Sequence, residues 1–343
     1  MRIIIDGFGG DHAPKAVLEG SRMAVDEYGV SIIMTGDKEQ ILSCAKENNI
    51  SLDGIEIVYA PSAIPVDAHP QDIMTEYKDS SMAKAFELLN EGKGDAVVCA
   101  GSTGAMVVGA SLMLRRIKGV RRATLAPIIP SESGCYMLMD AGANVECRPE
   151  MLVQFGVMGS VYMEKIMKIA SPRVAVVNIG AEETKGRALE LGVHAMMKDS
   201  DLFHFTGNIE PRYIPRGDAD VVITDGFTGN VILKLTEGLG KMIGNALKDI
   251  FKSSFMGTLA GLLVLKKVKG FKKKMDYTEY GGAPLLGISK PVIKAHGSSN
   301  GVAFKNAIRQ ARDFVKMDVI GEITSSMEQL RQQNKERQND GTV

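Results

Sequence analysis

Two segments of the sequence repeat one pattern: an apolar run, the motif G-x-T-G, and then a stretch with helical spacing. The copies are Asp95–Val107 and Asp220–Ile232. The apolar runs are typical of strands buried on both faces of a parallel sheet. The glycines let the backbone turn tightly and leave room for a ligand, while Thr103 and Thr228 can cap helices whose free N–H groups attract anions. The pattern predicts a phosphate-like group at the carboxyl edge of a sheet; the alternative is two ordinary strand–helix turns.

The residues of these motifs that we expect to contact the anion or substrate are Ser102, Thr103, Gly104, Gly226, Thr228 and Gly229. Asn230 follows the second motif directly. It would lie in the first turn of its helix, and we expect its amide to face the pocket.

A third polar loop follows the first apolar run. Asp6–Pro14 reads D-G-F-G-G-D-H-A-P, which lacks the G-x-G-x-x-G spacing of a dinucleotide site. Asp11 could cap the next helix, and His12 could donate to a phosphate oxygen or simply tether the loop. With Asp6, Gly9, Gly10 and His12, this loop is a second candidate for substrate binding.

Two further loops carry polar groups after apolar runs. Lys185 lies in N-I-G-A-E-E-T-K-G, where its ammonium could reach into a cleft or remain a solvated surface charge. Ala295–Asn300 reads A-H-G-S-S-N, and His296, Ser298 and Ser299 suit an oxyanion or phosphate site. The alternative for Ser298 or Ser299 is a helix cap.

The chain shows no motif for a covalent nucleophile. It lacks G-x-S-x-G, H-E-x-x-H and a Walker loop. Inorganic phosphate is already ionised near neutral pH and could itself attack a thioester, whose thiol is a good leaving group. Such a transfer needs positioning and stabilisation of the tetrahedral oxyanion, which backbone N–H groups, a lysine and an amide can supply. We expect no metal or cofactor.

The composition excludes several classes of protein. The 343 residues carry 41 Lys and Arg against 41 Asp and Glu, so no overall charge favours nucleic acid. The four cysteines lack metal-ligand spacing and are typical of reduced thiols in a cytoplasmic protein. No apolar run is long enough to span a bilayer, and no signal peptide is evident.

Strand-like and helix-like segments alternate along most of the chain. This alternation predicts an α/β fold with a mostly parallel sheet flanked by helices, in which ligands bind at the carboxyl ends of the strands. We expect residues 1–330 to form a single catalytic domain, with residues 240–280 as a helical insertion and residues 331–343 as a disordered tail. The strands that we predict are Arg2–Asp6, Ser31–Thr35, Ile55–Tyr59, Asp95–Ala100, Thr124–Ile129, Cys135–Asp140, Arg173–Asn178 and Asp220–Thr224.

The helical insertion contains an apolar stretch, Phe255–Leu265, followed by a lysine-rich run. A short helix with a basic flank can lie on an anionic membrane surface, and the same segment could instead pack against a second subunit. The residues expected at a membrane are Phe255, Leu259, Leu262, Leu263, Lys266 and Lys267.

Taken together, these residues resemble the acyl-ACP:phosphate acyltransferases of bacterial phospholipid synthesis over about residues 1–330. The resemblance rests on several motifs in order: G-G-D-H-A-P (9–14), K-D-S-S-M (78–82), D-A-G-A-N-V (140–145), L-V-Q-F-G-V-M-G-S-V-Y (152–162), D-G-F-T-G-N-V (225–231), Y-G-G-A-P-L-L-G (280–287) and K-A-H-G-S-S (294–299). The chain departs from the family pattern at Gly7 and Phe8, at Ser102, and in Gln71–Tyr77, which the family fills with basic residues.

The resemblance implies a three-layer α/β/α fold related to phosphotransacetylases and isopropylmalate dehydrogenases, with a protruding helical hairpin. It also implies a homodimer that associates peripherally with the membrane. The reaction would convert long-chain acylated acyl carrier protein (ACP) and inorganic phosphate into acyl phosphate, which a glycerol-3-phosphate acyltransferase would use. Of the candidate residues in the loops, we expect Lys185 and Asn230 to be the catalytic ones. The alternatives are a short-chain phosphotransacetylase, a related dinucleotide-dependent dehydrogenase and a non-enzymatic membrane scaffold.

Overall fold

A computed structural model gives the structure of the chain and describes residues 1–198, 200–274 and 277–339. The strands are β1 (Arg2–Asp6), β2 (Ser31–Gly36), β3 (Ile55–Tyr59), β4 (Ala96–Cys99), β5 (Thr124–Leu125), β6 (Ile128–Ser131), β7 (Gly134–Met139), β8 (Arg173–Val177), β9 (His204–Ile209), β10 (Val221–Ile223), β11 (Ala283–Leu286) and β12 (Val292–Lys294). The helices are α1 (Lys15–Tyr28), α2 (Lys38–Glu47), α3 (Ser81–Asn90), α4 (Thr103–Gly109), α5 (Pro149–Lys165), α6 (Ala188–Met197), α7 (Gly226–Lys252), α8 (Phe255–Lys274), α9 (Gly301–Lys316) and α10 (Val319–Asn339).

The strands form two sheets instead of the single sheet that the alternation suggested. One has the order β3-β2-β1-β4-β12-β11-β5 and the other β6-β7-β10-β8-β9. Pairing is parallel except at β11, which runs antiparallel to both neighbours, and between β6 and β7. The predicted α/β class with mostly parallel pairing is confirmed.

The predicted strand Thr124–Ile129 divides at the junction of the two sheets. β5 pairs with β11 in the first sheet, and β6 pairs with β7 in the second. Pro127 lies between them and has no N–H to continue a ladder. Its carbonyl accepts from Leu138 N at 3.0 Å, while Ala126 N donates to Pro284 O at 3.1 Å, so two consecutive residues bond to different sheets.

Helices cover both faces of the strands, so the central strands are apolar throughout. Ile3, Ile4 and Ile5 of β1 are fully buried. Helix α5, which follows β7 of the second sheet, contacts helices α9 and α10. Its Tyr162 hydroxyl accepts from Gln310 Nε2 of α9 at 2.7 Å, and its Lys165 pairs with Glu322 of α10 at 2.6 Å.

The expected helical hairpin is present and consists of α7 and α8. The two helices contact each other near their connection, where Thr258 Oγ1 lies 3.3 Å from Phe251 O. All residues from 238 to 250 are exposed, so α7 extends well beyond the sheets. Among the described residues, no helix is long and apolar enough to cross a membrane.

The chain end differs from the expectation of a disordered tail over residues 331–343. Helix α10 continues to Asn339, and residues 340–343 lie outside the described part of the chain. The side chain of Leu262, one of the expected membrane contacts, also lies outside the described set.

Candidate functional site

Three loops meet at the carboxyl edge of the first sheet because β1, β4 and β12 are neighbours there. Asp11 N donates to Gly297 O at 2.8 Å, and Ala295 N donates to Cys99 O at 2.8 Å. Gly10 has a φ of +96°, and a Cβ added there would lie 2.9 Å from Gly297 O. The loops after β1, β4 and β12 therefore form one continuous backbone surface, which we call the first edge.

A buried pair of opposite charges lies beneath the first edge. Lys294 is 9% exposed, and its Nζ donates to Ala100 O at 3.0 Å and Ala295 O at 2.8 Å. Asp6 is 2% exposed and accepts from the Ser81 hydroxyl at 2.5 Å. Burial raises the pKa of Asp6, although Ser81, the Phe8 N–H and the Lys294 charge oppose it, and burial lowers the pKa of Lys294. The two carbonyls that accept from Lys294 hold its ammonium form directly below the loops.

The first G-x-T-G motif begins its helix differently from the sequence prediction. The N-cap of α4 is Ser102, whose hydroxyl accepts from Ala105 N at 3.4 Å, whereas Thr103 is already the first helical residue. Within the described part of the chain, the N–H groups of Ser102, Thr103 and Gly104 have no acceptor. This helix start is thus free to bind an anion.

The loops after β7, β10 and β8 form the corresponding second edge. Asp140 is fully buried and accepts from the backbone N–H groups of Leu125, Ala143 and Asn144 at 3.1, 3.1 and 2.7 Å. Burial raises the pKa of this carboxyl, and these hydrogen bonds counteract the shift. Asn144 O in turn accepts from Gly226 N at 2.8 Å. The D-A-G-A-N motif therefore shapes the floor beneath the start of α7.

The second G-x-T-G motif lies within α7 because the helix starts at Gly226. Its N-cap is Asp225, not Thr228; Asp225 accepts from Thr228 N at 2.8 Å and from the Thr228 hydroxyl at 3.0 Å. Arg187 binds Asp225 at 2.8 Å and Glu190 at 2.6 Å. A carboxylate already occupies the anion position of this helix start, so the two motifs are not equivalent.

Asn230 and Lys185 both belong to the second edge. Asn230 is exposed, and its Cγ would lie 3.4 Å from a Cβ on Gly142. Gly229 cannot carry a side chain, since a Cβ there would lie 1.8 Å from Asp140 O. Lys185 is exposed in the loop after β8; its carbonyl accepts from Asn178 Nδ2 at 3.0 Å, and no carboxylate pairs with its ammonium among the described residues.

Helix α7 links the second edge to the first. Glu237 lies 3.7 Å from His296 Nε2 and 3.1 Å from Lys234 Nζ. Asn230, Lys234 and Glu237 recur at helical spacing and share one face of α7. That face therefore points toward the loop after β12.

His296 is held between these groups. Its Nδ1 lies 2.8 Å from the Ser298 hydroxyl. Burial lowers the pKa of His296, the Glu237 charge opposes that shift, and the Lys234, Lys294 and Lys241 charges add to it. The neutral ring is therefore the favoured form at neutral pH.

The remaining predicted residues lie at the first edge with less definite partners. His12 is exposed, and the position before α1 is occupied by Pro14 instead of a capping Asp11. Ser299 is buried, and Asn300, not a serine, caps α9 by accepting from Ala303 N at 2.9 Å. Neither serine is thus needed for the cap.

Several residues of the site are not predicted by the sequence patterns. These are Lys294, Lys234, Glu237, Asp140, Arg187 and Asp225. The sequence does mark two of them: Lys294 ends an otherwise apolar strand, and Asp225 directly precedes the second G-x-T-G motif.

A cavity of about 520 Å³ lies between α4 and the loop at residues 143–144 of the second edge. One wall is the 3₁₀ turn Pro70–Met74, which packs so closely on α4 that a Cβ on Gly104 would lie 2.7 Å from Pro70 Cγ. The cavity therefore borders both edges.

The sequence matches a family model described as "Fatty acid synthesis protein" over residues 1–322. It is 48% identical to a phosphate acyltransferase of Clostridium botulinum over 335 residues, which cover 97% of this chain and 100% of that protein. It is 46% identical to a phosphate acyltransferase of Alkaliphilus oremlandii over 330 residues, covering 96% of this chain and 98% of that protein.

Solved structures with a similar fold include the EutD phosphotransacetylase of Staphylococcus aureus, with a TM-score of 0.57, 15% identity, and coverage of 95% of this chain and 94% of that one. A branched-chain phosphotransacylase of Enterococcus faecalis gives a TM-score of 0.55 at 14% identity and covers 92% of this chain and 99% of that one. At these identities the likeness establishes the fold alone, and the predicted relation to the phosphotransacetylase fold is confirmed.

Proposed function

The chain belongs to the phosphate acyltransferase family of fatty acid synthesis proteins, and from this premise we propose that it transfers a long-chain acyl group from acylated ACP to inorganic phosphate. The observation that carries the proposal is the free start of α4 above the buried Lys294 ammonium. Backbone donors with a positive charge behind them suit a phosphate dianion.

The reaction is a direct displacement without a covalent enzyme intermediate. A phosphate oxygen attacks the thioester carbonyl carbon, and a tetrahedral oxyanion forms. The carbon–sulfur bond then breaks, the thiolate of ACP takes the proton that hydrogen phosphate loses, and acyl phosphate remains. Because phosphate is already ionised, the protein must mainly align the reactants and stabilise the oxyanion.

At the first edge, the N–H groups of Ser102, Thr103 and Gly104 bind the phosphate. Gly9 and Gly10 keep the first loop close to these donors, since a Cβ on Gly9 would lie 2.5 Å from Gly101 N. His12, His296, Ser298 and Ser299 complete the phosphate site from the flanking loops.

At the second edge, Asp225 already accepts from Thr228 N, so this helix start offers less to a dianion, and the neutral thioester is the better occupant. Asn230 donates its amide to the oxyanion, and Lys185 holds the phosphate or balances the charge of the tetrahedral state. Gly226, Thr228 and Gly229 act by fixing the start of α7, through the contacts with Asn144 and Asp225.

We further propose that the enzyme works as a cytoplasmic homodimer at the surface of an anionic membrane. Leu235, Leu239, Met242 and Ile243 are exposed on α7, and Phe255, Leu259 and Leu263 are exposed on α8. Exposed apolar residues at this density favour burial against a partner or a membrane. A glycerol-3-phosphate acyltransferase at the same membrane would receive the acyl phosphate.

The deciding experiment measures thiol release from palmitoyl-ACP with and without inorganic phosphate, with palmitoyl-CoA and acetyl-CoA in parallel. Phosphate-dependent release that favours palmitoyl-ACP is the expected result. Preference for acetyl-CoA would establish a short-chain phosphotransacetylase instead. Absence of release from every thioester would contradict the enzymatic function and leave a membrane scaffold.

A further inference from the structure

The cavity between α4 and the second edge combines an apolar wall with polar groups and cationic rim residues. Its lining is Gln71, Met74, Thr75, Val107, Val108, Ser111, Leu112, Arg116, Arg122, Ala123, Ala143 and Asn144. The volume of about 520 Å³ lies within the range of small-molecule sites. None of these twelve residues has a role in the phosphate site described above.

The position of the cavity relates it to the acyl donor. Val107 and Val108 lie one helical turn beyond the free start of α4, and Ala143 and Asn144 belong to the loop beneath Asn230. A linear molecule in this space would present one end where the two edges face each other.

Two arginines of a basic segment, Arg116 and Arg122, line the cavity. The segment Arg115–Arg122 carries five cations, and in the described part of the chain no carboxylate pairs with any of them. The segment is held in place by Gln154, which is 8% exposed, accepts from Arg121 N at 2.9 Å and donates to Gly119 O at 2.9 Å. Arg116 also donates to Arg121 O across the loop. These cations are available to an anionic ligand in a fixed backbone frame.

We propose that this cavity binds the 4′-phosphopantetheine arm of the acyl thioester and that Arg122, with Arg116, binds the phosphate of the arm at the rim. This inference rests on the proposed function. The arm has two amides, which match the polar side chains of Gln71, Thr75 and Ser111, and methyl-bearing carbons, which match Val107 and Val108. A fatty acyl chain has no polar group to pair with them, and burying unpaired polar groups is unfavourable. The arm is common to ACP and CoA.

The test uses three donors: palmitoyl-ACP, palmitoyl-CoA and palmitoyl-pantetheine, which lacks the phosphate. Arg122→Gln should raise the KM for the first two about tenfold or more, as expected for loss of a charged hydrogen bond, and leave palmitoyl-pantetheine unchanged. Lys118→Gln removes the same charge from the same segment but not from the cavity lining, and it should leave all three unchanged.

A second variant blocks the cavity itself. Ser111→Phe should raise the KM for all three donors much more than Ser111→Ala, which loses the hydroxyl but keeps the space open. The KM for inorganic phosphate should stay constant in every variant, and circular dichroism should confirm that each is folded.

Three results would overturn the proposal. An equal effect of Arg122→Gln on palmitoyl-pantetheine would mean that the arginine does not bind the phosphate. An effect on palmitoyl-ACP alone would place Arg122 against the surface of the carrier. A Ser111→Phe penalty for palmitoyl-CoA that is absent for acetyl-CoA would place the acyl chain in the cavity.

Calorimetric titration with CoA and with unacylated holo-ACP separates this inference from the proposed function, since it needs no turnover. If the wild type binds both and Arg122→Gln weakens both, the arm site is established even when no acyl transfer occurs. If the wild type turns over but none of these variants changes a donor KM or binding, the function is retained and the arm site is rejected.

Discussion

Asn230 is the residue whose proposed role is easiest to isolate. It is exposed, lies over Gly142 and makes no hydrogen bond that the start of α7 requires. Asn230→Ala should therefore leave the fold intact and lower kcat by about a hundredfold to a thousandfold, the loss typical of one oxyanion donor. Steady-state kinetics with palmitoyl-ACP would measure it, and a rate near that of the wild type would remove this assignment.

Thermal unfolding of the same variant serves as its control. An unchanged melting temperature together with a slow kcat would separate loss of an oxyanion donor from loss of structure. Lys185→Met can be measured alongside, since Lys185 is also exposed and unpaired among the described residues.

His296 provides a test of the electrostatics that α7 imposes on the first edge. Lys234→Gln should raise the pKa of His296, and Glu237→Gln should lower it further, because the two charges act in opposite directions. NMR titration of the imidazole would measure the pKa of His296 in both variants. A change of that pKa in the same direction in both would contradict the contact between α7 and His296.

The same shift has a consequence for stability. The pKa of His296 is lower in the folded state than in the unfolded one, so the folded state binds fewer protons in that window. The contribution of His296 to the free energy of unfolding should therefore decrease as the pH falls from the ordinary histidine pKa through the lowered value. Chemical denaturation of the wild type and of His296→Gln over this pH range would measure the difference.

At the residue level, the loops that the sequence pattern assigns to the carboxyl edge of a sheet do lie there, but the caps of their helices differ from the prediction. Asp6, Gly9, Gly10 and Ser102 do converge at one edge, because adjacent parallel strands bring their carboxyl ends together. The N-caps are Ser102 and Asp225, which precede the predicted Thr103 and Thr228 and can also accept a hydrogen bond from the first turn. Which residue caps the helix depends on where the helix starts, and the sequence pattern does not specify that point. Contacts such as Glu237 with His296 join distant segments and leave no local signal.

At the scale of elements, strand and helix positions followed the hydrophobic pattern closely in the parallel core. The pattern did not predict β9, whose residues are mostly half-exposed or exposed, or the short antiparallel strand β11. Nor did it predict that α4 ends at Gly109 and continues as a π-helical turn, Ala110–Leu114. Edge strands and such turns depend on tertiary packing more than on periodicity.

Helix α8 carries the proposed membrane contact, and its test is independent of catalysis. Leu259 and Leu263 are 45% and 82% exposed. Replacing both by Glu should abolish binding to anionic vesicles, because it buries charge in the interface and offsets the attraction of Lys266 and Lys267. Vesicle co-sedimentation would measure binding, with turnover of soluble palmitoyl-CoA as the control.

Neutral phosphatidylcholine vesicles give the matched comparison. The wild type should bind them more weakly than anionic ones because the basic flank contributes only at a charged surface. Undiminished binding of the double variant to anionic vesicles would assign the segment to another contact.

At the scale of the whole molecule, α7 presents two different faces. One face carries Asn230 over the second edge and Glu237 against His296 of the first edge. On the opposite face, Leu235, Leu239 and Ile243 lie about half a turn around the helix and are exposed. Pairing of this apolar face with its copy in a second chain would bury it without touching the site.

Introducing charge on the apolar face should therefore convert the proposed dimer to a monomer. Leu239→Lys combined with Ile243→Lys places two unpaired charges in the interface, whereas Asn245→Lys adds a charge on a different face of the same exposed helix. Analytical ultracentrifugation would compare the three proteins. A wild type that sediments as a monomer, or a double variant that remains a dimer, would contradict this interface.

The unlike caps of α4 and α7 have a kinetic consequence. Ser102 leaves one helix start open, whereas Asp225 fills the other, so in the proposed reaction the two reactants would bind in separate places. Neither reactant then has to arrive first, and neither blocks the other at high concentration. The acyl phosphate spans both places, and it should compete with each substrate in turn. Accumulated acyl phosphate would then slow the enzyme until it is consumed.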